Sequence, residues 1–155
     1  MLSCFININI NITTHLYLDF TSYVENRIME AVFGEDRAVM EQALAAQGLN
    51  DELAELLPCY TQLYIDLKGR DPDDAFSGIP YTKGQLFLMY LENKFGRDHF
   101  YTFVLGYFES HAFQSLGTAN VVKYIKVKLT DKYPNIVSDK EINVWIYDQG
   151  LPVVA

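Results

Sequence analysis

The stretch IPYTKGQLFLMYL, residues 79–91, determines which kind of fold this chain adopts. Its last six residues, Leu86 to Leu91, are all apolar, so a helix built from them presents apolar side chains on every side. Such a helix is stable only when neighbouring elements bury it around most of its circumference. Gly96 then ends the pattern. The sequence therefore predicts a buried helix from Tyr81 to Phe95.

Residues before this stretch also show helical spacing. One set of apolar residues recurs at intervals of three and four and stops at Gly34: Phe20, Tyr23, Val24, Ile28, Ala31 and Val32. A second helix is predicted over residues 36–47, ending at Gly48, and a short third turn over residues 50–57, ending before Pro58. Residues 59–67 have β propensity without clean alternation, which favours an extended segment that runs into a loop at residues 69–74.

Three further helices are predicted after the central stretch. Asp98 and Thr118 are suitable N-caps for two of them. Ser138 and Glu141 have the spacing of a capping box, in which each side chain bonds to the backbone of the other, and this marks the start of the last helix. The whole pattern indicates a mainly α fold with at most one or two short strands.

The first residues of the chain are of low complexity. Residues 5–12, FINININI, alternate apolar side chains with asparagine, which is the period of a strand, but the bias favours a tail. We therefore assign residues 1–19 to an Asn/Ile-rich tail outside the fold and residues 20–155 to the folded part.

Composition excludes several classes of function. Half of the 155 residues are hydrophobic, which is enough for a core, and 12 Lys and Arg against 20 Asp and Glu give a net charge of −8. That charge opposes binding to nucleic acid or to an anionic membrane surface. The longest apolar run has six residues, too short for a membrane span, and the start lacks a secretion signal, so a cytoplasmic location is expected.

Spacing alone identifies no site for a metal or a nucleophile. His15, His99 and His111 are too far apart in sequence to form a helical zinc motif. Cys4 and Cys59 belong to no paired motif, so neither a disulfide framework nor a cysteine metal site is indicated. These patterns by themselves lead only to a soluble helical domain.

A family resemblance says more. Residues 79–84, IPYTKG, followed by the apolar run, resemble the Pro-Tyr-x-Lys-Gly segment of the gluzincin zinc aminopeptidases, the family of aminopeptidase N and leukotriene hydrolase. Residues 20–28 and 145–152 resemble two further segments of that family in the same order, so the likeness runs from about Phe20 to Pro152. It implies the helical lobe of a thermolysin-like peptidase catalytic domain, in a metallopeptidase that removes N-terminal residues from peptides.

The resemblance also implies roles for individual residues. Tyr81 matches the catalytic tyrosine whose phenol donates a hydrogen bond to the oxyanion formed from the peptide carbonyl. Asp73 matches an aspartate that lines the substrate pocket in the leukotriene-hydrolase branch. Phe76 occupies the place of a second pocket tyrosine of that branch, a departure that argues against a lipid-epoxide activity.

The metal site is where the sequence departs from the family. The family's zinc ligands are the two histidines of His-Glu-x-x-His and the glutamate of Trp-Leu-Asn-Glu-Gly. Aligning on Phe20 places Leu18 at the glutamate and Asp19 at the following glycine, and the paired histidines are expected upstream of this chain. Leucine cannot ligate zinc, and Asp19 points about 100° away round a helix. Zinc is therefore expected in the parent family and not in this chain.

Three interpretations follow from this combination. In the first, which we favour, the chain is a fragment of an aminopeptidase catalytic domain and is inactive alone. In the second, a partner chain supplies the zinc ligands and the two chains act on a peptide substrate together. In the third, the chain is a metal-free helical interaction module, whose former domain contacts form an exposed apolar surface.

Overall fold

A computed structural model describes residues 15–66, 68, 77–114 and 116–152, with side chains from Asp19 onward. Six α-helices are present: α1 (His15–Phe33), α2 (Glu35–Glu55), α3 (Ile79–Phe95), α4 (Arg97–His111), α5 (Thr118–Ile125) and α6 (Asp139–Tyr147). A short 3₁₀ helix spans Pro58–Tyr60, and a π-helical turn, Lys126–Thr130, continues α5. The described residues form no β-strand. The predicted mainly α fold is confirmed, and none of these helices is long and apolar enough to cross a membrane.

Helix α3 lies at the centre of the molecule. Phe87, Leu88 and Leu91 are completely buried, as the apolar run predicts. Helix α1 packs along α3 more extensively than any other pair of helices pack together. Trp145 of α6 contacts Phe87, with 5.6 Å between the ring centroids. The buried helix predicted from the sequence is thus confirmed, and it begins two residues earlier than Tyr81.

Aromatic side chains connect α1 to α4. The Phe20 ring stacks on Tyr107 with 4.4 Å between centroids, and Tyr23 meets Phe100 edge to face. Gly34 ends α1 with a φ of 90°, a left-handed conformation that glycine adopts without a steric penalty. This turn reverses the chain directly into α2, so the predicted stop at Gly34 is confirmed.

Helix α1 begins earlier than the boundary assigned at residue 19. It includes His15–Asp19, and Asp19 is completely buried. The reason is that no glycine or proline precedes Phe20 closely enough to stop a helix, and Asp19 packs against α3. Residues 1–14 of the assigned tail lie outside the described residues.

The prediction of two elements between residues 36 and 57 is wrong. Glu35–Glu55 form a single helix that continues through Gly48. Gly48 lacks the left-handed φ of a helix stop, and a glycine inside a helix costs about 1 kcal/mol relative to alanine. Leu49 is completely buried, which contributes roughly 2 kcal/mol and outweighs that cost.

The extended segment predicted at residues 59–67 forms no strand where it is described. After the Pro58–Tyr60 turn the chain runs irregularly to Asp66, with Leu63 and Ile65 buried. The Tyr64 amide donates to the Ile146 carbonyl at 3.0 Å, so the segment lies beside the end of α6. A helix end offers no ladder of backbone partners, which explains why the β propensity produces no strand here.

The N-caps agree with the sequence at one helix and differ at two. At α6 the Ser138 amide donates to Glu141 at 2.8 Å, and the Glu141 amide donates to the Ser138 hydroxyl at 3.3 Å, so the capping box is confirmed. Helices α4 and α5 have Gly96 and Gly117 as N-caps. Asp98 is the second residue of α4 and Thr118 the first residue of α5, because each helix starts directly after a glycine.

We predict that Ser138→Ala lowers the free energy of unfolding by about 1 kcal/mol, since it removes the hydroxyl that accepts from the Glu141 amide and donates to the Glu141 carboxylate. The bonds from Ser138 and Tyr90 lower the pKa of Glu141 to about 2. A depressed carboxyl pKa stabilises the fold above the unfolded-state pKa and stops doing so as pH falls towards the folded value. Urea unfolding should therefore give a lower free energy of unfolding for Ser138→Ala than for wild type at pH 7, and a smaller difference between the two near pH 2.

Ser110→Ala is the matched control, because the Ser110 hydroxyl donates to the Gly106 carbonyl of its own helix and belongs to no N-cap. We expect its effect to stay within about 0.5 kcal/mol. Equal losses for the two serine variants at pH 7 would contradict the capping account.

Candidate functional site

Tyr81 lies in the first turn of α3 with its ring partly open to solvent. Its backbone amide donates to the Gly78 carbonyl at 3.1 Å, and 36% of the residue is exposed. Within the described part of the chain, its hydroxyl makes no hydrogen bond. The phenol is therefore available to donate to an atom that approaches from outside.

The start of α3 is anchored to α2 by a carboxylate. The Gly78 amide donates to Glu52 Oε1 at 2.6 Å. A Cβ atom at position 78 would lie 2.6 Å from Glu52 Oε2, so only glycine fits without a shift of the Glu52 side chain. This contact sets where the turn that carries Tyr81 begins.

Lys83 connects the start of α3 to two other segments of the chain, at Thr61 and at Asp148. Its side chain is completely buried, and its ammonium donates to the backbone carbonyls of Thr61 and Asp148, both at 2.9 Å. Burial lowers the pKa of Lys83 to about 8, while the negative charges of Asp148 and Asp19 act in the opposite direction. In the sequence, Lys83 stands out only as part of the segment IPYTKG. A lysine beside a continuous apolar run was the available clue to a buried charge.

Asp19 of α1 occupies space next to Gly84 of α3. A Cβ atom on Gly84 would lie only 1.8 Å from Asp19 Oδ1, so the carboxyl sits where a side chain at position 84 would be. Neither carboxyl oxygen accepts a hydrogen bond from another described residue. Burial raises the pKa of Asp19 well above its usual range, and the charge of Lys83 opposes that rise. The Asp19 side chain is thus directed into the contact between α1 and α3.

The donor atoms of the described residues do not fit a zinc site. Among these residues, no group of three or more His, Cys, Asp or Glu side chains is placed to hold a metal ion. His99 packs against Tyr133, with 4.9 Å between ring centroids, and His111 Nδ1 lies 2.9 Å from the Tyr107 carbonyl. Asp19, next to the position that matches the third ligand, is committed to the α1–α3 contact.

A buried polar cluster outside this turn was not found from the sequence. The Tyr23 hydroxyl donates to Glu92, and burial together with that carboxylate raises the pKa of Tyr23. Arg97 bonds both Glu92 and Glu30, which connects α4 with α3 and α1. Tyr23, Glu92, Arg97 and Glu30 each have a partner within this cluster, so we assign these four groups to the packing of the helices.

The two predicted pocket residues, Asp73 and Phe76, lie outside the described residues. The structure therefore does not bring them to Tyr81 or separate them from it, and their roles stay predictions. Of the predicted site residues, only Tyr81 has a described position.

Comparison with known proteins shows which family this chain is similar to. Residues 11–144 match the sequence profile of the peptidase family M1 domain. The chain is 33% identical over 147 residues to leucine aminopeptidase 2 of Ajellomyces capsulatus, covering 89% of this chain and 23% of that protein. It thus spans about a quarter of the length of the curated relatives it matches.

Solved structures show the same likeness. Native leukotriene A4 hydrolase from Saccharomyces cerevisiae matches with a TM-score of 0.84 and 27% identity, covering 93% of this chain and 24% of that one. A mutant of a two-domain M1 zinc metallopeptidase bound to L-tryptophan matches with a TM-score of 0.66 and 25% identity, covering 91% of this chain and 29% of that one.

We predict that Gly84→Ala lowers the free energy of unfolding by about 2–3 kcal/mol, because the added methyl overlaps the Asp19 carboxyl. In an Asp19→Gly background the same substitution should cost less, with a coupling of about 1–2 kcal/mol. Urea unfolding of the four proteins in this cycle measures the coupling.

Gly48→Ala is the matched control, since no atom lies within 4 Å of a Cβ at that helical position. It should leave stability unchanged or raise it by up to about 1 kcal/mol. Additive effects of the substitutions at positions 19 and 84 would show that the two residues do not touch.

Proposed function

We propose that this chain, which belongs to peptidase family M1, forms the helical part of an aminopeptidase catalytic domain and carries one catalytic residue of that domain, Tyr81. The reaction it serves is removal of the N-terminal residue from a peptide. Family membership agrees with the gluzincin aminopeptidase resemblance found in residues 79–84. The activity of a whole enzyme is part of the proposal, because the chain spans about a quarter of its relatives' length.

The observation that carries the proposal is the hydroxyl of Tyr81, which bonds to no described residue. When water adds to a peptide carbonyl, negative charge develops on the oxygen, and a donor already in place stabilises it without reorganisation. A phenol bonded to another protein group would first have to break that bond. The Tyr81 ring is partly exposed at a turn fixed by Glu52 and Lys83, which suits a donor that meets its substrate from outside.

We further propose that these 155 residues bind no zinc by themselves and do not catalyse hydrolysis alone. Zinc supplies the activated water in the parent family. In this chain the place of the third ligand is taken by Leu18, and Asp19 is directed into the contact with Gly84. The peptide substrate would meet Tyr81 together with Asp73 and Phe76, which we propose as residues of the substrate pocket.

A second candidate function is binding of a partner chain. Helix α2 and the end of α1 expose large apolar side chains, which are the kind of surface that protein partners cover: Phe33, Val39, Met40 and Leu44. A partner that carries the zinc-binding histidines would make the pair a split aminopeptidase. A partner without them would make this chain a metal-free interaction module.

We expect the chain purified without chelator to contain far less than one zinc per molecule and to hydrolyse none of a panel of aminoacyl chromogenic substrates. Metal analysis and the substrate assay are run on wild type, Tyr81→Phe and Tyr101→Phe, the last being an exposed tyrosine on α4. The claim of inactivity would be wrong if the chain contained stoichiometric zinc and its turnover disappeared in Tyr81→Phe but persisted in Tyr101→Phe. That result would show a complete enzyme.

The role of Tyr81 needs a positive test as well. Helix α3, Ile79–Phe95, is grafted in place of the matching helix of the yeast leukotriene A4 hydrolase. We predict that the graft retains peptide hydrolysis and that Tyr81→Phe within it lowers kcat about a hundredfold or more with little change in KM. An active graft in which Tyr81→Phe has no effect on kcat would show that Tyr81 is not the oxyanion donor.

A further inference from the structure

We propose that Lys83 is the positioning residue for Tyr81: by holding the first turn of α3 from the inside, its ammonium sets the direction of the Tyr81 ring. The inference rests on the proposed function only for the catalytic meaning of Tyr81. Its physical content concerns how one turn of α3 is held, and it is tested without substrate or metal.

Tyr81 depends on its backbone for its position. Its hydroxyl bonds to no described residue, and its ring pairs with no other described ring or cation. The ring is also partly exposed, so surrounding packing holds it on one side only. The orientation of the phenol therefore follows the orientation of the helical turn from which it projects, and whatever fixes that turn fixes the phenol.

Lys83 holds this turn from the opposite side. Two residues along an α-helix correspond to about 200° of rotation, so Lys83 and Tyr81 project in nearly opposite directions. Lys83 is fully buried, and of its two bonds the one to the Thr61 carbonyl is buried and the one to the Asp148 carbonyl is partly buried. A charged donor bonded to two carbonyls inside the protein is a strong restraint.

The acceptors of Lys83 are themselves fixed. The Thr61 hydroxyl donates to the Pro58 carbonyl at 2.7 Å and accepts a bond from the Gly150 amide at 2.8 Å. Gly150 follows Asp148 by two residues, so the two segments that receive Lys83 are also bonded to each other. The lysine thus connects α3 to two segments that are also bonded to each other, so neither segment moves independently to relieve the restraint.

The other contacts of this turn do not replace that restraint. The Glu52 carboxylate bonds the amide of Gly78, before the helix begins, and so leaves the rotation of the helix about its axis free. The contact of Asp19 with Gly84 is steric, and neither carboxyl oxygen accepts a hydrogen bond from another described residue. Lys83 is the side chain of the turn that combines burial with directional bonds on two sides.

The test follows the Tyr81 ring by NMR of chain labelled with ¹³C at the tyrosine ε carbons, with Tyr81→Phe to assign its signal. Lys83→Met removes the ammonium and keeps a long unbranched side chain. We expect the Tyr81 signal to shift by more than its linewidth or to broaden. We also expect the amides of Tyr81 and Thr82, which donate to the Gly78 carbonyl, to lose about tenfold in protection from hydrogen exchange.

Two controls separate positioning from general destabilisation. Lys94→Met makes the same substitution in the last turn of α3 and should leave the Tyr81 signal unchanged. Val137→Ala truncates a buried core residue away from this turn and should lower overall stability with the Tyr81 signal unmoved. If Lys83→Met does not fold, Thr61→Val is used instead. It removes the hydroxyl that bonds to Pro58 and Gly150, so the segment that accepts the Lys83 bond is held less firmly, and the Tyr81 signal should move.

The proposal is overturned if the folded Lys83 or Thr61 variant keeps the wild-type Tyr81 signal and amide protection, or if Val137→Ala moves them equally. Because the measurement uses neither zinc nor a peptide, such a result would leave the proposed function of Tyr81 standing. Conversely, loss of the proposed catalytic role would leave the positioning of its ring by Lys83 unaffected.

Discussion

The contact between α1 and α3 at Gly84 is the constraint on which the rest of the structure depends. The two helices approach so closely there that the Asp19 carboxyl takes the volume of a side chain at position 84. This approach brings Phe20 and Tyr23 of α1 against the rings of α4, and it buries α3 from the side that α6 does not cover. A bulkier residue on α3 would separate the helices and expose the apolar run that makes α3 a central helix.

Polar groups near this contact hold the turn that carries Tyr81, whose hydroxyl bonds to no described residue. Lys83 has two carbonyl acceptors, whereas the Asp19 carboxyl accepts no hydrogen bond from another described residue, and the nearby charge of Lys83 partly offsets the cost of burying it. An unpaired buried carboxyl opposes folding, since burial disfavours its charged form. The described residues thus hold Tyr81 close to a buried lysine and an inward aspartate, in a chain that belongs to peptidase family M1.

Structural features that depend on residues close together in the chain could be predicted from the sequence. The apolar run of α3, the stop at Gly34 and the Ser138 capping box each depend on local spacing, and all three are present in the structure. The helix stop predicted at Gly48 is wrong, because burial of Leu49 outweighs the low helix propensity of glycine. Residues 59–66 form no strand, because a helix end lies beside them in place of a neighbouring strand. The motif identified Tyr81, but nothing local shows that Lys83 reaches Thr61 and Asp148, 22 and 65 residues away along the chain.

The most direct measurement of the α1–α3 contact is the ¹³C NMR titration of the Asp19 carboxyl carbon, assigned with Asp19→Asn. A carboxyl buried without a hydrogen-bond donor should remain protonated at pH values where ordinary aspartates, with a pKa of about 4, are already ionised. The account predicts a midpoint well above that value. A midpoint at or below about 4 would mean that the carboxyl is hydrated or paired, and that α1 and α3 do not meet at Gly84 in the way described.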